Sequence, residues 1–238
     1  MSIPDNISVV RERIAAAEAV AGRDTGSVVL QLAAKYQPVT ALLEALEAGV
    51  TDFGHNMIQQ LVEAETGLSD AHAPRHSTTV IGHVQSNKLA TAMEYATRID
   101  TVDSVKIAER IARRQGVRIA EGTAKGPYSV LLQINASGAQ SQFGIEPDTA
   151  RAVAEKIAAI SLVRVDGLMT IGAHTDDERA IARSFAATRA LLEDMHSDGT
   201  VAGNVLSMGM TSDLEIAIAE GSTLVRVGTA VFGPRPRA

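Results

Sequence analysis

Tyr128-Ser129-Val130-Leu131-Leu132-Gln133-Ile134-Asn135 is followed by a polar stretch, by Pro147, and then by Val163-Arg164-Val165-Asp166-Gly167-Leu168-Met169-Thr170-Ile171. Both apolar-rich runs have the length of buried strands. Pro147 stands where a helix would begin, because its missing N–H costs nothing at that position, and the helix is predicted to reach about residue 159. Strand, helix, strand is a crossover unit, which places two parallel strands in one sheet with a right-handed connection.

The same alternation extends in both directions. Ile3, Ile7, Val10 and Ile14 recur at helical spacing, so residues 5–21 read as an amphipathic helix stopped by Gly22. Further strands are predicted at 28–34, 50–53, 79–82, 98–102, 204–208 and 224–227. Helices are predicted at 39–48, 56–67, 86–96, 103–115, 176–196 and 212–220. Ser212 and Glu215 have capping-box spacing for the last of these. Residues 67–77 and 118–127 read as surface loops, and the tail from Pro234 is expected to fray. Eight strands, each after the first preceded by a helix, fit a single α/β domain over residues 1–238, a (β/α)8 TIM barrel with an extra N-terminal helix. An open doubly wound sheet is the rival arrangement.

Composition narrows the function. The chain has 238 residues, 45% of them apolar and 21% charged, which excludes a disordered or collagen-like chain. There is no cysteine, hence no disulfide, thiolate metal site or thiol nucleophile. A formal charge of −6 argues against a broad nucleic-acid surface, and Arg110, Arg113 and Arg114 read as a solvated helix face. No run approaches the length of a membrane span and no signal peptide is evident, so a cytoplasmic protein is expected. No metal site is expected either: His72 and His76 flank Pro74 in a loop without a third ligand.

In a barrel the chemistry belongs at the C-terminal strand ends. Strand one ends at Lys35 after a mostly apolar run. A desolvated lysine there is suited to carbonyl attack, although a strand-end lysine often only snorkels to water. The ends of strands seven and eight carry Ser207, Gly209, Gly228 and Thr229, whose hydroxyls and exposed backbone suit a phosphate. Tight turns that merely need glycine are the plain alternative. Strand eight closes next to strand one, so a small ligand with an aldehyde and a phosphate would bridge them. Pyridoxal 5′-phosphate (PLP) is such a ligand. Arg226 shares the face of Gly228, and beside a pyridine nitrogen its permanent charge would keep that nitrogen unprotonated, a poor arrangement for an electron sink. A structural ion pair is the alternative for Arg226.

Three segments carry a resemblance: Ile81-Gly-His-Val-Gln-Ser-Asn-Lys88, Gly167-Leu-Met-Thr-Ile-Gly172, and Leu206-Ser-Met-Gly-Met-Thr-Ser-Asp213 through Val225-Arg-Val-Gly-Thr-Ala-Val-Phe-Gly233. Over nearly its whole length the chain resembles the YggS-type PLP homeostasis proteins, themselves similar to the N-terminal barrel domain of alanine racemase. The resemblance implies a PLP-binding barrel without established turnover, acting in vitamin B6 and amino-acid homeostasis. It implies a Schiff base on Lys35, phosphate contacts from Ser207, Gly228 and Thr229, Arg226 at the pyridine nitrogen, and Asn56 and Met208 lining the cofactor. PLP-dependent apoenzymes are the implied recipients, and a monomer is expected.

The chain departs from the family pattern at Ala34, His55, Met57, Thr78, Thr79 and Gln142, where serine, glutamate, tyrosine, tryptophan-histidine and lysine are usual. The departures bear on partner and regulatory contacts more than on PLP.

A weakly active PLP-dependent racemase is the alternative function. It needs a second acid/base on the opposite ligand face. In alanine racemase a tyrosine from a further domain supplies it, and here only nine residues follow Thr229, so no such domain is expected. Tyr36 adjoins Lys35, but strand alternation would turn it away; His55 or His83 are the substitutes. An aldolase-like Schiff-base barrel and a regulatory module that only senses PLP are further alternatives.

Overall fold

The computed structural model describes residues 2–138 and 142–234, so the end of the tail expected to fray lies outside the described residues. Eight parallel strands close a barrel in sequence order: β1 (Val29–Ala33), β2 (Asp52–His55), β3 (Ser77–Val80), β4 (Arg98–Val102), β5 (Tyr128–Ile134), β6 (Val163–Thr170), β7 (Val205–Ser207) and β8 (Leu224–Val227). The helices are α1 (Ile3–Val20), α2 (Val39–Glu47), α3 (Ile58–Asp70), α4 (Leu89–Tyr95), α5 (Val105–Ala120), α6 (Pro147–Ala158), α7 (Glu178–Ser197), α8 (Leu214–Ala219) and α9 (Thr229–Phe232). The barrel is therefore present and closed, with β8 paired to β1 through Gln31 and Arg226, and the open sheet is excluded.

Alternation along the strands sorts side chains between two layers. Leu32, Phe53, Val80, Ile99, Val130, Leu132, Leu206 and Val225 point outward and form the apolar layer under the helices. The barrel interior holds buried polar groups, among them Gln31, Thr79, Asp100, Gln133, Ser207 and Arg226. Gln31 Nε2 donates to Thr79 Oγ1 at 3.0 Å across the barrel.

The extra helix α1 buries Ile7, Val10 and Ile14 and starts with a capping box from Ser2 and Asp5. Three expectations change. Helix α3 continues through the stretch read as loop as far as Asp70, because Leu68 is fully buried beneath it. Helix α5 runs to Ala120 across Gly116, held by buried Gln115, whose Nε2 donates to Gly126 O at 2.9 Å. The Ser212–Glu215 capping box is not made: Asp213 occupies the cap position, and Arg13 of α1 takes Glu215 at 2.8 and 2.9 Å.

Candidate functional site

At the C-terminal mouth of the barrel lies a cavity of about 250 Å³. Its walls come from β1 and the turn after it (Ala33, Lys35, Gln37), the end of β2 (Asn56), the β7–α8 loop (Met210, Thr211, Ser212) and β8 with α9 (Arg226, Gly228, Thr229, Phe232, Gly233). Lys35, Asn56, Arg226, Gly228 and Thr229 thus meet on one cavity, although they span the chain from end to end. Among the described residues its basic lining groups are Lys35 and Arg226, and no carboxylate shares the lining. Such a site attracts an anion.

Arg226 is buried, and its guanidinium faces neutral acceptors. Nη1 donates to Ser207 Oγ at 2.6 Å and Nη2 to the Thr170 carbonyl at 2.8 Å. Burial pulls the guanidinium down to about 10, against the opposing pull of Asp100 and Asp213. The ion-pair alternative for Arg226 therefore gives way to two neutral anchors.

Two of the expected cofactor residues, Ser207 and Met208, are not on the cavity lining. Ser207 is fully buried below the cavity, and its hydroxyl oxygen is engaged by Arg226. Met208 follows it outward into the apolar layer beside Leu206, as alternation requires. Thr211 and Ser212, four and five residues after Ser207, supply the hydroxyls that line the cavity on that side. Sequence reasoning passed over them because Ser212 was assigned to a helix cap. The loop holding them is shaped by Gly209 at φ +92°, where a Cβ would stand 2.5 Å from the Ala217 methyl, and by Asp213 Oδ1, which accepts from Met210 N. Asn56 is placed by a close approach of another kind: a Cβ on Gly82 would lie 2.2 Å from the Asn56 carbonyl.

The turn after β1 also differs from expectation. Lys35 and Tyr36 lie past the strand end, and Tyr36 takes a left-handed backbone, φ 61°. Alternation does not apply there, and Lys35 Nζ sits 5.1 Å from the centre of the Tyr36 ring. His55 is buried with neither ring nitrogen partnered among the described residues, and burial lowers it to about 4. His83 stacks on Phe143 at 4.3 Å, with Nδ1 3.7 Å from Asp103. Neither histidine lines the cavity.

The other departures from the family pattern lie off the cavity lining. Ala34 is buried, Met57 is exposed, Thr78 donates to Glu65 at 2.6 Å, and Gln142 Oε1 accepts from Ser137 at 2.8 Å. Gln142 also borders a second cavity, of about 390 Å³, whose lining includes Asp176 and Asp213. A larger one, about 420 Å³, opens at the opposite end beside α1. Its charged residues are already engaged: Arg11 donates to the Ala48 and Gly49 carbonyls, Glu18 accepts from Gly26 N, Ser27 Oγ and Val28 N, and Asp52 accepts from Thr51 Oγ1. Among the described residues no group of three histidines or carboxylates could hold a metal, and no helix is long and apolar enough to cross a membrane.

The family model for the N-terminal domain of alanine racemase matches residues 3–236. The pyridoxal phosphate homeostasis protein of Pseudomonas aeruginosa is 38% identical over 234 residues, 98% of this chain and 96% of that protein. Among solved structures, a protein of unknown function from Bifidobacterium adolescentis is 38% identical with a TM-score of 0.88, covering 97% of this chain and 94% of that one. PipY of Synechococcus elongatus, solved with PLP bound, is 29% identical with a TM-score of 0.80, covering 98% and 100%. With so long a match in both sequence and fold, this chain belongs to the family of pyridoxal phosphate homeostasis proteins, built on the alanine racemase N-terminal domain.

Proposed function

We propose that the cavity at the barrel mouth binds PLP, with the Lys35 amine as its point of covalent attachment, and that the chain serves vitamin B6 and amino-acid homeostasis as a carrier without turnover. The observation that carries this reading is a small cavity lined by one lysine and one buried arginine with no carboxylate. That donor set fits an aldehyde, a ring nitrogen and a phosphate. The bound PLP found in PipY supports it.

When bound, PLP supplies an aldehyde that condenses with a primary amine and releases water. Lys35 supplies the amine. Arg226, a donor only, would face the ring nitrogen and favour its unprotonated form. Thr211, Ser212, Gly228 and Thr229 offer hydroxyl and backbone donors to the phosphate. Asn56 closes the cavity beside Lys35. The carrier acts as a monomeric unit in the cytoplasm, and PLP-dependent apoenzymes are its recipients.

The test is the visible spectrum of the purified protein beside Lys35→Ala. A band near about 420 nm in the wild type, absent from the variant, is expected. No band after addition of PLP would end the PLP reading and leave the barrel. Borohydride reduction followed by peptide mass analysis locates the attachment.

A racemase reading has one observation in its favour, the contact of Tyr36 with Lys35. Two-base exchange needs groups on opposite ligand faces, and these two lie against each other. Exchange of the α-hydrogen of alanine into deuterated water, followed over hours, separates the readings.

A further inference from the structure

Ser207 has a hydroxyl at the right end of β7 to meet a phosphate, yet it is fully buried and outside the cavity lining. Its oxygen instead accepts from Arg226 Nη1 at 2.6 Å. The second anchor, the Thr170 carbonyl, accepts from Nη2 at 2.8 Å, and the Thr170 hydroxyl is itself tied to Ile134 O at 2.9 Å. The guanidinium is thereby strapped from β8 across β7 and β6 to β5. A planar fork held at both terminal nitrogens cannot rotate, and its remaining N–H donors belong to the edge left for the cavity.

The chemistry of the anchor matters as much as its place. A carboxylate at position 207 would hold the guanidinium and neutralise it, as Asp100 does for Arg98. A hydroxyl fixes the position and leaves the charge in force. We infer that Ser207 is a positioning residue, which aims the Arg226 guanidinium at the ligand in the barrel mouth without touching that ligand. The inference rests on the PLP reading above and changes the task of Ser207 from phosphate ligand to arginine holder.

The experiment is titration of PLP and of pyridoxal, which lacks the phosphate, into wild type, Ser207→Ala, Ser207→Thr, Arg226→Lys and the Ser207→Ala/Arg226→Lys double variant. Binding is read from the absorbance of the bound compound and folding from thermal melting. Ser207→Ala is expected to weaken both compounds by the same factor, about tenfold, equivalent to about 1.4 kcal/mol. Its bound absorbance and the pH dependence of that absorbance shift in the same direction as in Arg226→Lys. The threonine variant, which keeps the hydroxyl, returns towards wild type. In the Arg226→Lys background the serine substitution adds nothing, as two residues acting through one group require.

A loss seen with PLP and not with pyridoxal would assign Ser207 to the phosphate and overturn the inference. Additive losses in the double variant, or wild-type behaviour of Ser207→Ala, would overturn it as well. If the alanine variant does not fold, Ser207→Cys, nearly isosteric with a much weaker acceptor, takes its place. Failure of both to fold makes the serine a folding requirement and ends the positioning role. A wild type that takes up neither compound ends the PLP reading and this inference together, whereas a wild type that loads normally leaves the variants to decide the inference alone.

Discussion

The two ends of the barrel hold their arginines in opposite ways. At the N-terminal end, Arg98 meets Asp100 through two hydrogen bonds of 2.5 and 2.9 Å, and Arg164 meets Asp166 at 2.6 and 2.9 Å. Ser129 joins the same network through Asp166. At the C-terminal end, Arg226 has only a hydroxyl and a carbonyl. Both arrangements satisfy hydrogen bonds; only in the first do carboxylates accept them, Asp100 and Asp213 acting on Arg226 through charge alone. A barrel that ties its arginines to carboxylates at one end and holds Arg226 on neutral acceptors at the other keeps one end for cohesion and the other for an anionic ligand.

The largest expected effect tests the cohesive end. Arg98→Met leaves the fully buried Asp100 carboxylate without its partner, and the protein should lose about 3–5 kcal/mol of unfolding free energy. PLP uptake by the folded fraction should be unaltered. Urea denaturation together with PLP titration measures both quantities. A loss of PLP affinity comparable to the loss of stability would show that the two ends are not separable.

The mirror experiment is Arg226→Met. Removing a buried cation whose hydrogen bonds go to neutral acceptors is expected to leave the ligand-free fold as stable as before or more so. PLP affinity should fall about 100-fold, a loss of about 2.7 kcal/mol. A strongly destabilised ligand-free variant would mean that Arg226 serves the fold, and the contrast between the ends would collapse.

His55 sharpens the comparison in a different way, as a buried polar group with no described partner at all. Its folded-state value of about 4 lies below the ordinary 6.5. Between those values the unfolded chain binds a proton and the folded one does not, so stability rises with pH there. The loss on acidification is fully developed only below about pH 4, and its slope is about 1.4 kcal/mol per pH unit between the two values. His55→Leu should flatten that part of the stability profile. A profile unchanged by the substitution would show that the folded ring takes up its proton as readily as the unfolded one.

The legible part of this molecule was its periodicity. Strands β4 and β8 begin and end at the expected residues, and Pro147 starts α6 as its chemistry demands. Five of seven proposed cofactor residues converge because each stands at a strand end, which alternation and closure place on one rim. The failures share a cause: they lie just past strand ends, where the chain stops alternating. Tyr36 turns left-handed, so its side chain could not be assigned by counting. Thr211 and Ser212 carry the hydroxyls that Ser207 was expected to carry, because β7 is only three residues long and ends at Ser207 itself. Short α9 had no periodicity to read, having four residues. Partners across the barrel, such as Arg226 with Ser207 or Thr170, leave no trace in local sequence.

The smallest effect concerns α1, whose position outside the repeating pattern raises the question of what it holds. Arg13 Nη2 donates to the Thr211 carbonyl at 2.9 Å while the same side chain grips Glu215. Asn6 of the same helix donates to Val231 O in α9 at 2.9 Å. The extra helix therefore ties together the two segments proposed to receive the phosphate, the β7–α8 loop and α9. Arg13 and Glu215 are both partly exposed, so the pair is worth under about 1 kcal/mol. Arg13→Ala should accordingly weaken PLP about three- to fivefold, leave pyridoxal unchanged, and lose its effect at high salt. Equal weakening of PLP and pyridoxal would place the consequence at Lys35 rather than at the phosphate side, and α1 would then be a general brace for the barrel with no particular relation to its mouth.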